Sequence, residues 1–166
     1  MATDFLYAAG THGFIATPFD LLSTELNSIG ANGGAVVSSV GGSSGVFSQT
    51  NTVQALSGAV WFASGGAFTP TAGGYLAGWF LRSPDGGTTF EATTTASATQ
   101  APVARSPDFV IPLFPVAYAS GQVAWAQGGE IALPPESFKV VLWNMSGATI
   151  PSSGNTLALG PIAVQY

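Results

Sequence analysis

Cysteine is absent from this 166-residue chain, so neither a disulfide framework nor a thiolate metal site can be built from it. Basic residues are almost as scarce: Arg82, Arg105 and Lys139 are the only three, against eight Asp plus Glu, and the net charge is −5. So few cations, so far apart, exclude the electropositive footprint that phosphate backbones require, and nucleic acid is not an expected partner. The single histidine, His12, has no companions at ligand spacing, so no metal centre or other cofactor site is expected. No apolar run reaches the roughly 18 residues of a membrane span. Residues 1–13 hold Asp4 and no Lys or Arg. The positive start of a secretory signal peptide is therefore lacking, and a soluble product made in a cytoplasm is expected.

Charge of either sign is what the chain lacks most. Asp, Glu, Lys and Arg make up 7% of it, where about 25% is usual. A free-standing monomer stays soluble largely through interspersed ions. The cores of protein–protein interfaces are instead depleted in charge and rich in aromatics. The composition thus predicts a chain much of whose exterior is covered by neighbouring subunits. The plainer alternative is a monomeric, hydroxyl-rich β protein.

What is present is glycine (22), proline (11) and a 46% hydrophobic fraction, dispersed as short apolar runs between turn residues. Residues 1–14 read as an extended arm carrying Phe5, Leu6, Tyr7 and Phe14, and residues 15–166 as one domain. A helix is expected over about 18–29. Thr17 can cap it, Pro18 suits its first position and Asp20 favours its N-terminus; Leu22, Leu26 and Ile29 recur at helical spacing before Gly30. Strands are expected at 35–40, 45–49, 59–63, 75–82, 109–114, 122–127, 138–145 and 156–166, separated by glycine pairs and Pro84–Gly87. That pattern predicts an all-β antiparallel sandwich, with a jelly roll as the favoured topology. In 138–145 both faces are apolar, which suits a central strand or one that also faces a partner. In 156–166 the apolar parity switches across Gly160–Pro161, where a bulge or a strand bend is expected. Residues 88–107 read as a long polar loop.

Few motifs suggest chemistry. Gly41-Gly42-Ser43-Ser44-Gly45 has the letters of a hydrolase nucleophile elbow. That elbow needs a strand–turn–helix and a later histidine, and His12 precedes it, so a chance Gly/Ser turn is the better reading. Carboxylates are spread singly, with no glycosidase-like pair. Ser83-Pro84-Asp85-Gly86-Gly87-Thr88-Thr89-Phe90 fits the Asp-box pattern of a rigid hairpin. There Asp85 collects backbone N–H groups, the glycines permit positive φ, and Phe90 anchors the return. Its key residues are Ser83, Asp85, Gly87, Thr89 and Phe90, in a structural role; calcium through Asp85 and Glu91 is a remote alternative. Trp61, Trp79, Trp125 and Trp143 lie inside apolar strand patterns, where burial in the core or in an interface is the commoner fate, although aromatics of this kind can also stack on sugars. No enzymatic activity is expected.

Several stretches resemble small virion proteins of tailed bacteriophages and prophages. They are Thr24-Glu25-Leu26-Asn27-Ser28, the Ser83–Phe90 hairpin, Leu133-Pro134-Pro135 followed by Phe138-Lys139-Val140, Asn144, Gly147, and Ser153-Gly154-Asn155-Thr156-Leu157. The resemblance implies a β-sandwich capsid decoration, or cement, protein located in the virion. Its partners would be the major capsid protein and copies of itself, met in part through Phe5, Leu6, Tyr7 and Phe14. A tail, baseplate or head-fibre module, or a carbohydrate-binding sandwich meeting a host-surface glycan, are the alternatives.

Overall fold

The computed structural model describes residues 19–31, 33–36, 54–91 and 105–164. The expected arm with Phe5, Leu6, Tyr7 and Phe14, His12, the Gly41–Gly45 turn and the strand at 45–49 lie outside the described residues.

Nine strands and one 3-10 turn are described: β1 (Phe19–Leu22), the turn Thr24–Leu26, β2 (Gly34–Val36), β3 (Gln54–Ala63), β4 (Tyr75–Ser83), β5 (Phe109–Pro112), β6 (Val123–Trp125), β7 (Ile131–Ala132), β8 (Ser137–Met145) and β9 (Thr156–Val164). They form two antiparallel sheets. One runs β1-β9-β3-β6, with β7 following β6 along the same side of β3; the other runs β2-β8-β4-β5. The pairings nest along the chain: β1 with β9, β2 with β8, β3 with β6 and β4 with β5. Two further ladders, β3 with β9 and β4 with β8, join the nested pairs into sheets. Among the described residues no helix is long and apolar enough to cross a membrane.

Alternation along each strand supplies the core. Val60 and Phe62 on β3 and Leu157 and Leu159 on β9 face Leu76 and Phe80 on β4 and Phe138, Val140 and Leu142 on β8, all buried. Rings interlock at its centre: Phe80 lies 4.9 Å from Phe138 edge-on and 5.4 Å from Phe109. Burying each such ring contributes about 1.5–3 kcal/mol. Gly78 leaves the space that the Phe109 ring fills, since a Cβ there would overlap it. The sheets are also stitched at one side, where the Gln127 amide donates to the Val110 carbonyl at 2.7 Å while Ala126 still pairs with Val60.

β8 is central, between β2 and β4. Both of its faces are covered, for Val141 is as buried as Val140 and shares the outer face with buried Ala77, Trp79 and Leu81 of β4.

Two expectations are corrected. The helix at 18–29 is replaced by β1 and one 3-10 turn. Leu22, Leu26 and Ile29 are buried as the helical spacing required, yet β9 offers this segment a backbone ladder. Ser28 then takes φ 60°, a left-handed conformation that ends any helix. The bulge expected at Gly160–Pro161 lies instead in the partner strand. The pairs Ala55–Ala163 and Ser57–Ile162 leave one β3 residue unmatched, while β9 runs through both positions unbroken.

Candidate functional site

The nested topology sends successive connections to alternate ends of the sandwich, and the two ends differ in chemistry. At one end lies the turn after β4. Asp85 Oδ1 accepts the amides of Thr88 and Thr89 at 3.1 and 2.7 Å and the Ser83 hydroxyl at 2.8 Å; Oδ2 accepts the Thr89 hydroxyl at 2.8 Å. The Gly87 amide donates to Ser83 Oγ at 2.7 Å, and Gly86 and Gly87 hold φ of 70° and 104°. The Thr89 amide and hydroxyl are the chief reason that the Asp85 carboxyl is lowered to about 2. Every donor around Asp85 serves the turn itself. Phe90 is half-buried beneath Lys139, whose Nζ sits 4.3 Å from the ring centre. Arg105 ties the neighbouring strands together, meeting Glu91 and Asp108 at 2.8 Å and the Phe80 carbonyl at 2.9 Å. A shallow groove of about 260 Å³ opens beside this turn, between Arg82, Phe90, Glu91 and Glu136. Among the described residues no three of His, Asp or Glu gather as metal ligands.

The other end gathers four connections: β1–β2, β3–β4, β5–β6 and β8–β9. Two buried asparagines lash them together. Asn155 Nδ2 donates to Asn27 Oδ1 at 2.8 Å and to the Pro151 carbonyl at 2.7 Å, and its Oδ1 accepts the Gly65 amide at 3.0 Å. Asn144 Nδ2 is shared among the carbonyls of Ile29, Gly30 and Ala148 at 2.9–3.2 Å, while its Oδ1 accepts the Ser146 amide at 3.0 Å. Thr71 bonds the Ser146 carbonyl through both its amide and its hydroxyl. Phe68 and Tyr118 exchange backbone bonds at 3.2 and 2.7 Å. Asn27, Asn144 and Asn155, three of the residues behind the virion-protein resemblance, thus do structural work.

Among the described residues, the exposed large apolar side chains fall in one stretch. Phe114 is 68% exposed, Val116 50%, Val123 40% and Trp125 51%, and no charged residue occurs between Asp108 and Glu130. Of the four tryptophans, Trp125 is the one that the described chain leaves exposed. It stands on the outer face of the short edge strand β6, against half-buried Trp61 at 5.0 Å between ring centres. Trp79 is buried and donates its indole N–H to the Arg105 carbonyl at 3.0 Å. The half-buried Trp143 has an indole N–H with no partner among the described residues. Of this stretch the sequence singled out Trp125 alone, as one of four aromatics able to stack on sugars; Phe114, Val116 and Val123 went unnamed, although the uninterrupted lack of charge was a signal.

Comparison with protein families, with curated proteins and with solved structures finds no match to this chain.

Proposed function

We propose that this chain is a structural protein of a tailed-bacteriophage virion, a capsid decoration or cement protein that stabilises the head by contact with the major capsid protein and with copies of itself. It performs no catalysis. The observation that carries this reading is an exterior poor in charge, with Phe114, Val116, Val123 and Trp125 exposed, on a sandwich whose strands pair in nested order. The orders β1-β9-β3-β6 and β2-β8-β4-β5 support a jelly roll, an architecture used by viral capsid and lectin domains. Fold alone assigns no function, so the surface must supply the rest. An exterior with 7% charge and bare aromatics suits a subunit that spends its life covered. The N-terminal residues Phe5, Leu6, Tyr7 and Phe14 are proposed as a second contact.

The test is location. Antibodies against this chain, applied to phage particles released by the cells that encode it, should decorate heads at many copies per particle. Particles devoid of the chain overturn the proposal. Deleting residues 2–13 should abolish attachment to the head while leaving the thermal unfolding of the sandwich in place.

One observation favours a second reading. The Trp61–Trp125 pair on an open sheet face is the kind of surface that stacks on sugar rings, and lectins share the jelly roll. A glycan whose binding is lost in Trp125→Ala would support a carbohydrate-binding sandwich.

A further inference from the structure

Charge is not merely scarce on this molecule; it is segregated. Of the ten charged residues described, Arg82, Asp85, Glu91, Arg105, Asp108, Glu130, Glu136 and Lys139 lie on the turn after β4, on the segments flanking β7, or on the adjoining strand ends. Asp20 and Glu25 are the other two. The β3–β4, β5–β6 and β8–β9 connections at the opposite end hold no ion at all.

That end, whose connections carry Glu25 as their one ion among the described residues, presents the bare side chains of the β5–β6 stretch, and they are held in place rather than trailing. Leu113 and Tyr118 are buried on either side. The Tyr118 hydroxyl accepts the Phe114 amide at 3.2 Å, and the Val116 amide closes a tight turn onto the Phe114 carbonyl at 2.8 Å. Val123 opens β6 opposite Ala63, the last residue of β3, and so lies at the same end; Trp125 follows on the same face. β6 is an edge strand among the described residues, and its own three residues include neither the Lys nor the Pro that ordinarily blunts such an edge.

We infer that this stretch, with Phe114, Val116, Val123 and Trp125 as anchors, is the surface through which two copies of this chain associate. The argument for a second copy is electrostatic. A surface without ions disfavours a charged partner face, whose ions would lose water and gain no counter-charge. The chain itself offers an equally uncharged, aromatic face, with Phe114 and Trp125 exposed. A two-fold contact brings the patch against its own image, so each copy supplies both Phe114 and Trp125. At 68% and 51% exposure, these two rings offer roughly 200 Å² per copy, taking about 150–250 Å² for a full aromatic side chain. The two valines and the intervening backbone extend that towards the roughly 800 Å² per partner of a standard interface.

This inference rests on the assembly reading, and the experiment separates the two. The purified full-length chain is sized by light scattering from micromolar to millimolar concentration, beside Trp125→Ser, the pair Phe114→Ser with Val116→Ser, and Glu136→Gln at the opposite end. All replaced side chains are exposed, and unfolding curves check that the variants fold. The wild type and Glu136→Gln should associate equally, while Trp125→Ser and the paired variant should weaken association at least tenfold. Wild type that stays monomeric throughout, or anchor variants that associate as tightly as wild type, overturns the inference. If the chain nevertheless occupies phage heads, the proposed function survives that failure. A chain absent from particles, whose association is still lost with Trp125, refutes the virion role and supports the surface.

Discussion

Replacing Asn144 by alanine tests whether buried polar bonds, rather than sheet pairing alone, hold the four-connection end together. The side chain is fully buried, and its bonds are not equivalent. The three carbonyls it meets all keep another donor: Ile29 from the Ile150 amide at 2.9 Å, Gly30 from the Gly33 amide at 3.0 Å, and Ala148 from the Ser146 hydroxyl at 2.9 Å. The Ser146 amide has only Asn144 Oδ1 as its described acceptor, at 3.0 Å. Alanine therefore strands one buried donor, at about 1–3 kcal/mol, and removes amide bonds of about 1 kcal/mol each. The expected loss is about 3–4 kcal/mol. For a chain of this size that is a fall in Tm of roughly 6–16 °C, at about 2–4 °C per kcal/mol.

Asn144→Asp separates hydrogen bonding from volume. The carboxylate still accepts from Ser146 but faces three carbonyl oxygens without water, so this variant should be worse than alanine at neutral pH. Those surroundings raise the folded-state pKa above the unfolded value of about 3.9. The folded state then binds its proton first as pH falls, and stability is regained below the raised pKa. Thermal unfolding followed by near-ultraviolet circular dichroism at pH 7 and pH 4.5 gives the readout. An alanine variant within about 0.5 kcal/mol of wild type, or an aspartate variant whose deficit relative to alanine does not change with pH, would refute the reasoning.

Three other outcomes are expected. Asp85 should titrate near 2 by carboxyl NMR. Since its folded pKa is depressed, its contribution to the turn is complete above about pH 4 and is lost as pH falls towards 2; Asp85→Asn should flatten that dependence, and a midpoint near the usual carboxylate value would contradict the hydrogen bonds described. Gly78→Ala should destabilise by about 1–3 kcal/mol in chemical denaturation, because the Phe109 ring occupies the space a methyl group needs; a neutral substitution would mean that the ring is not seated there. Trp79→Phe should destabilise more than Trp143→Phe, since only Trp79 forfeits an indole bond, to the Arg105 carbonyl, worth about 1 kcal/mol; the reverse order in urea melts would show that packing volume decides.

Strands were legible in the sequence where glycine punctuation met alternating apolar residues. The central strands β4 and β8 lie within a residue of their expected bounds. β1 was not, because Leu22, Leu26 and Ile29 satisfy a helical stripe and a strand-plus-turn equally well. The choice is made by β9, more than 130 residues away in sequence. β7 has two residues, too few to show a period. In the turn after β4 the bonds are local, within four residues of Asp85, so donors and acceptors lie close together in the sequence as well as in space. Asn144 and Asn155 were letters in a pattern, and their work is visible only once Ile29, Gly65 and Asn27 have been brought beside them. The exposure of Trp125 was hidden for a related reason. Its neighbours Ala124 and Ala126 are buried, but β6 is an edge, and edge position is a property of topology rather than of the residue.

The separation of charge between the two ends bears on what each can do. Along the chain the eleven ionisable acids and bases look evenly thinned; pairing β4 with both β5 and β8 is what gathers most of them at one end. At the other end, the polar groups that tie the connections spend their bonds on one another. Asn27 meets Asn155, Asn155 meets Gly65, Thr71 meets Ser146, and Tyr118 meets both Phe68 and Phe114. Covering a surface of that kind strips few groups of water without replacement, which is the step that usually makes burial expensive. An end bristling with Lys and Glu would stay soluble uncovered and resist contact. This one is internally satisfied in its hydrogen bonds and unsatisfied in its apolar area, the combination that makes a dry protein contact favourable.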